Sequence, residues 1–155
     1  MNASWLPESG IWHNYTLWLP LSAAFGVQLF KFLWEWIRWR DFDLRVLARS
    51  GGMPSSHSAM VSSLATAVGY RRGLQSDLFA VSVVFAVIVM YDASGVRQAA
   101  GKQAKVLNQI VRELFSGQPV GEEELKELLG HTPVEVIVGA LVGISYTLGW
   151  FALAS

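Results

Sequence analysis

The sequence contains no cysteine, which removes disulfide frameworks, zinc ribbons, thiolate nucleophiles and iron–sulfur ligation together and leaves the redox compartment open. Charge is scarce as well. Asp, Glu, Lys and Arg make up 15% of the 155 residues, against about a quarter in a soluble domain. That is too little to cover a water-facing surface, and it argues against a disordered tail or an ordinary cytosolic enzyme. Neither sign dominates, with 12 basic and 12 acidic residues, so nucleic acid is not an expected partner. No internal repeat or low-complexity segment stands out. The N-terminus lacks a basic stretch leading to a small-residue cleavage site, so no signal peptide is expected. What the chain does have is 52% hydrophobic residues and seven tryptophans, with a mean hydropathy of +0.35. These point to a single-domain, all-α integral membrane protein, a bundle of four to five membrane helices.

Four stretches read as spans, at about 17–37, 55–72, 78–97 and 134–154, joined by a polar region at 98–133. The first has Trp12 and Trp18 at one end and Trp34, Trp36 and Trp39 at the other, like the two aromatic belts of a spanning helix. The second is rich in Ala and Ser, weak as a lipid-facing helix but suited to the inside of a bundle. The last has internal glycines at 139, 143 and 149 that suit close packing, the first two as a G-x-x-x-G pair. With four spans, the loops at 38–54 and 92–132 share one side and hold nine of the twelve basic residues, against Arg71 and Arg72 opposite. The positive-inside rule places those loops in the cytoplasm.

Three polar clusters fall on that basic side. Gly51-Gly52-Met53-Pro54-Ser55-Ser56-His57 combines a tight turn with a helix start, whose free N–H groups and positive dipole end favour an anion. His57 sits one turn in, able to donate a proton near neutral pH; the same residues also serve as an ordinary capped helix start with an incidental His. Thr132-Pro133-Val134-Glu135 reads as a capping box with Pro at the first helical position. Capping explains Thr132 and Glu135 but not His131, which with a carboxylate one turn away has the makings of an oriented nucleophile. In the third cluster Asp92 ends a long apolar run and Arg97 follows, forming either a helix-fastening ion pair or a substrate contact. On a helix, Arg97, Gly101, Lys105 and Asn108 share a face. Lys31 and Arg38, seven residues apart in the first span, can point along one side towards a shared anion, or can snorkel and anchor.

Together these clusters resemble the type 2 phosphatidic acid phosphatase superfamily, which includes the vanadium haloperoxidases, and more closely its small divergent bacterial and plastid branch. The superfamily pattern is a Lys, six residues, then Arg-Pro; a Pro-Ser-Gly-His; and a Ser-Arg followed by a His with an Asp four residues later. Lys31 and Arg38 keep the first spacing, with Trp39 for Pro. Pro54-Ser55-Ser56-His57 matches the second with Ser56 for Gly, and His131 to Glu135 matches the third with Glu for Asp. The family's second Arg would fall at Leu125; Arg97 is its expected substitute, ahead of Arg112 and Lys126.

The resemblance implies phosphoryl transfer through a phosphohistidine without a metal cofactor. His131 would be nucleophile, Glu135 its orienting partner and His57 the proton donor. Lys31, Arg38, Ser55, Ser56 and Arg97 would hold phosphate, supported by Gly52 and Asp92, and Asp92 leaves an opening for Mg²⁺. The implied substrate is a membrane lipid phosphate handled on the cytoplasmic side of a bacterial inner membrane or a plastid or thylakoid-type membrane. Phosphatidylglycerol phosphate comes first, because the divergent branch is associated with phosphatidylglycerol synthesis. Phosphatidic acid or an isoprenoid diphosphate is the alternative substrate, and a non-enzymatic scaffold or transporter subunit the alternative class. Better-known relatives have six membrane helices, so a homodimer would cover faces that fewer helices leave bare.

Overall fold

A computed structural model describes residues 10–40, 52–114 and 130–154. Among these there are five α-helices and no strand: α1 (Tyr15–Trp39), α2 (Ser56–Arg72), α3 (Asp77–Ser94), α4 (Val96–Leu114) and α5 (Pro133–Ala154). Short polar side chains start two of them. The Ser55 Oγ accepts from the Ser58 amide at the head of α2, and the Ser76 Oγ from the Phe79 amide at the head of α3, each filling an acceptor that the first turn cannot supply itself. Asp77 adds a negative charge to the positive end of α3.

The order of burial inverts what hydropathy alone suggests. The helix at the centre is the least apolar of the four that build the bundle: α2 packs against α1, α3 and α5, burying Ser58, Ala59, Val61, Ser62, Ser63, Ala67 and Gly69. Small residues let three neighbours close in on one axis, and the hydroxyls of Ser62 and Ser63 find partners inside. The Ser62 Oγ donates to the Ser58 carbonyl at 2.7 Å and reaches the Ala140 carbonyl on α5 at 3.0 Å. The Thr147 hydroxyl donates to the Gly143 carbonyl at 2.9 Å, so its single proton is committed and Ser63 must donate across the interface to Thr147 Oγ1, 2.7 Å away.

The G-x-x-x-G pair of α5 is the contact line with α2. A Cβ on Gly139 would land on the Ser55 backbone, and one on Gly143 would land on the Ala59 carbonyl and Ser62 Oγ. Gly149, expected to pack in the same way, faces open space.

The outer helices carry large exposed apolar residues, such as Val81, Val84 and Ile88 on α3 and Ile137 and Leu141 on α5, a surface suited to lipid and costly in water. Three described helical stretches are long and apolar enough to cross a membrane: Tyr15–Trp39, Asp77–Leu114, whose apolar part is α3, and Pro133–Ala154. The chain is an all-α integral membrane protein. The 17 residues of α2 do not add a fourth such helix, because its Ser and Gly content suits a protein-lined interior.

The boundaries also shift. The stretch expected to span 78–97 ends at Ser94, and the polar region begins with a 19-residue helix, α4. Gly95 keeps helical bonding through the junction, its amide donating to Tyr91 at 2.8 Å and its carbonyl accepting from Ala99 at 3.0 Å.

The ends differ in chemistry. At one, Trp12 stacks on Trp18 with ring centroids 5.7 Å apart, Tyr15 lies near Trp150, and Tyr70 stacks on Phe151. The other end gathers the C-termini of α1 and α3 and the N-termini of α2 and α5, and all three polar motifs lie there.

Candidate active site

Two backbone bonds tie the motifs together. The Ser55 amide donates to the Glu135 carbonyl at 3.1 Å, and the His131 amide donates to the Ala93 carbonyl at 2.8 Å. The segment that starts α2 is thereby fastened to the first turn of α5, and His131, two residues before α5, to the last turn of α3. Gly130, at φ +93°, makes the turn that delivers His131 to this junction, a conformation that a side chain would resist.

His131 is nearly fully buried, and its Nδ1 lies 3.0 Å from Glu135 Oε2. The same carboxylate oxygen accepts from the Thr132 amide at 3.1 Å, while Thr132 Oγ1 accepts from the Glu135 amide at 3.3 Å. The capping box therefore exists, and the two readings of Glu135 are one: the bonds that cap α5 also hold the carboxylate against the imidazole. An ionised carboxylate only accepts, so neutral His131 keeps its proton on Nδ1 and its lone pair on Nε2. Losing the Thr132 hydroxyl should cost about 1 kcal/mol as a lost cap. Thermal unfolding of Thr132→Ala in detergent should show that loss, with a smaller loss of activity than any change at His131 gives.

Lys31 does not snorkel. It is 8% exposed, its stem runs beside Gly52, where a Cβ would sit 3.8 Å from Lys31 Cδ, and burial opposes its charge while the Glu135 and Glu35 carboxylates support it. Gly52, at φ +76°, leaves room for that stem. One buried cation and the positive ends of two helices thus surround the His131–Glu135 pair, an arrangement that favours a bound anion.

The other expected residues are placed less uniformly. Ser56 is buried as the first residue of α2, and His57 follows it, half-buried. Ser55 is fully buried, with its amide committed to the Glu135 carbonyl and its Oγ accepting from Ser58, so its first role is to join two helices. Arg38 lies two turns beyond Lys31 on α1, exposed, with its guanidinium 5.6 Å from the Trp39 ring centroid. Among the described residues no hydrogen bond or ion pair joins it to His131. Asp92 is half-buried in the last turn of α3, one residue before the carbonyl that holds His131. Arg97 occupies the first turn of α4; its side chain is outside the described set, as are Gly51, Leu125, Lys126 and the acidic run 122–124. Among the described residues no three His, Asp or Glu side chains converge as a metal cluster.

Sequence reasoning missed the two backbone joints and Glu35. The joints carry no side-chain signal, whereas Glu35 stands four residues after Lys31, a spacing that puts both on one helix face.

The model of the divergent PAP2 family matches residues 12–146, from the first aromatic belt to the last turns of α5. The chain belongs to the divergent PAP2 family. It is also 43% identical over 146 residues to YuiD, an uncharacterized membrane protein of Bacillus subtilis (strain 168), covering 87% of this chain and 92% of that one. No solved structure gives a significant match. Family membership accords with the resemblance read from Lys31, Pro54 to His57 and His131 to Glu135. All three matched segments lie within the family-matched region.

Proposed function

We propose that this protein is a membrane lipid phosphatase that hydrolyses a phosphomonoester headgroup through a phosphohistidine on His131. The observation that carries the reading is the buried imidazole with its Nδ1 held 3.0 Å from Glu135, beside Lys31 and two helix N-termini. His131 Nε2 attacks phosphorus as the bond to the leaving alcohol breaks, and His57 gives the alkoxide its proton. Neutral His57 then takes a proton from water, whose oxygen attacks phosphorus and breaks the N–P bond, freeing His131 and inorganic phosphate. Lys31, the helix ends, and Arg38, Ser56 and Arg97 if substrate draws them in, stabilise the charge on the transferring phosphoryl group.

A site at the end of a membrane bundle suits an amphiphile whose phosphate stays at headgroup depth. The clustering of basic residues favours the cytoplasmic face, and with it phosphatidylglycerol phosphate ahead of phosphatidic acid or an isoprenoid diphosphate. Phosphate release from these three in mixed micelles tests the assignment. Phosphatidylglycerol phosphate should turn over fastest, and EDTA should leave the rate unchanged. Release from none of them would refute the reading, and loss of activity with EDTA would replace it with a Mg²⁺-dependent one through Asp92. Protease cleavage within 92–132 from outside sealed right-side-out vesicles would reverse the sidedness.

A further inference from the structure

Apart from Arg97 in its first turn, the surface of α4 divides into three sectors that the phosphatase reading does not use. At about 100° per residue, Val96, Val106, Leu107, Ile110 and Leu114 fall on one arc, all exposed, with Gln103 the one polar side chain among them. Lys102, Lys105 and Arg112 fall on the opposite arc and are exposed as well. Between them a narrow flank carries Gly101, Ala104 and Asn108, all buried. A helix crossing the membrane has no use for this division, and it would bring Lys102 and Lys105 into the hydrocarbon. A helix floating in water would leave the apolar arc uncovered. A helix lying flat at the membrane surface beside a bundle needs all three sectors, one towards acyl chains, one towards water and one towards protein.

We infer that α4 lies in the membrane plane at the active-site end, with Lys102, Lys105 and Arg112 engaging anionic lipid headgroups. Two further observations commit the apolar arc to lipid. The helix leaves the end of the membrane-embedded α3 through the single residue Gly95, at the level where Ala93 holds His131, so it begins at headgroup depth. Its exposed cations outnumber its one acidic residue, Glu113, which complements an anionic surface. The inference concerns attachment to the bilayer and stands whether or not the site hydrolyses phosphate.

The absence of cysteine makes the test clean, because single-cysteine variants report one position each. Lys102→Cys, Lys105→Cys, Leu107→Cys and Ile110→Cys are spin-labelled in the full chain. Each is reconstituted in phosphatidylcholine vesicles with and without phosphatidylglycerol. Labels at 107 and 110 should show oxygen accessibility several-fold above their accessibility to a water-soluble nickel chelate, at shallow depth, with the ratio reversed at 102 and 105. Phosphatidylglycerol should move 107 and 110 deeper, and Lys102→Gln, Lys105→Gln and Arg112→Gln combined should abolish that shift. The proposal is overturned by nickel access at 107 and 110 equal to that at 102 and 105, or by labels at the bilayer centre. Protection of 107 and 110 from both reagents would overturn it in favour of a second copy of the chain. A phosphatidylglycerol shift that survives the triple substitution overturns the headgroup contact.

Discussion

His131→Ala is expected to lower kcat/KM for the preferred lipid phosphate by about ten-thousand-fold or more, the scale on which removal of a covalent nucleophile acts. The effect should exceed that at either partner. Glu135→Gln keeps the shape and the bond from the Thr132 amide but removes the charge that fixes Nδ1–H. Loss of an equivalent orienting carboxylate elsewhere costs up to about ten-thousand-fold, and a smaller loss than at His131 is expected here. His57→Ala separates the two half-reactions. With a lipid phosphate the leaving alkoxide needs a proton, and the loss should be about a thousandfold, within the range of general acid catalysis. With an aryl phosphate the leaving group departs unaided, so phosphorylation of His131 should stay fast and release of phosphate become slow. The readout is a burst of phenol stoichiometric with enzyme. Wild-type turnover in His131→Ala would remove His131 from the mechanism.

The second large effect concerns stability. Gly143→Leu is expected to destabilise the bundle by about 3 kcal/mol, the upper range for overpacking. The Cβ alone would meet the Ala59 carbonyl and Ser62 Oγ, and these are atoms of the central helix. Backbone cannot move aside as a flexible side chain does, so α5 must be pushed off α2. That would part the Ser63–Thr147 hydrogen bond and strain the Ser55–Glu135 joint. Gly149→Leu is the control: nothing lies within 4 Å of its Cβ position, and exposed substitutions shift stability by less than about 0.5 kcal/mol. Thermal unfolding in detergent compares the two, and equal losses would contradict the α2–α5 contact line.

Much of this architecture was legible in the sequence because membrane helices announce themselves through single residues. The spans at 17–37 and 134–154 fall inside α1 and α5, and Thr132, Pro133 and Glu135 mark the start of α5 at the residue where it begins. The His131–Glu135 pair was legible for the same reason: a four-residue spacing across a capped helix start leaves little freedom. The junction at Gly95 was harder to read, since the apolar run stops at Asp92 while helical bonding continues past Gly95 into α4. The central position of α2 follows from what its neighbours do. Its Ser and Ala side chains become core only once α1, α3 and α5 have closed around them. The two cations expected to hold phosphate divide on physical grounds too. Lys31 lies deep enough to be enclosed, whereas Arg38, near the end of its helix, turns its guanidinium to Trp39.

The central claim is that phosphate passes through His131 before it reaches water, and the stereochemistry of hydrolysis tests it irrespective of how long the intermediate lives. Each in-line displacement inverts phosphorus, so two displacements restore the original configuration. A chiral, isotopically labelled phosphorothioate analogue of the lipid, hydrolysed in isotopically labelled water, should give inorganic thiophosphate with retention of configuration. Net inversion would mean that water attacks the lipid phosphate directly and would contradict the phosphohistidine.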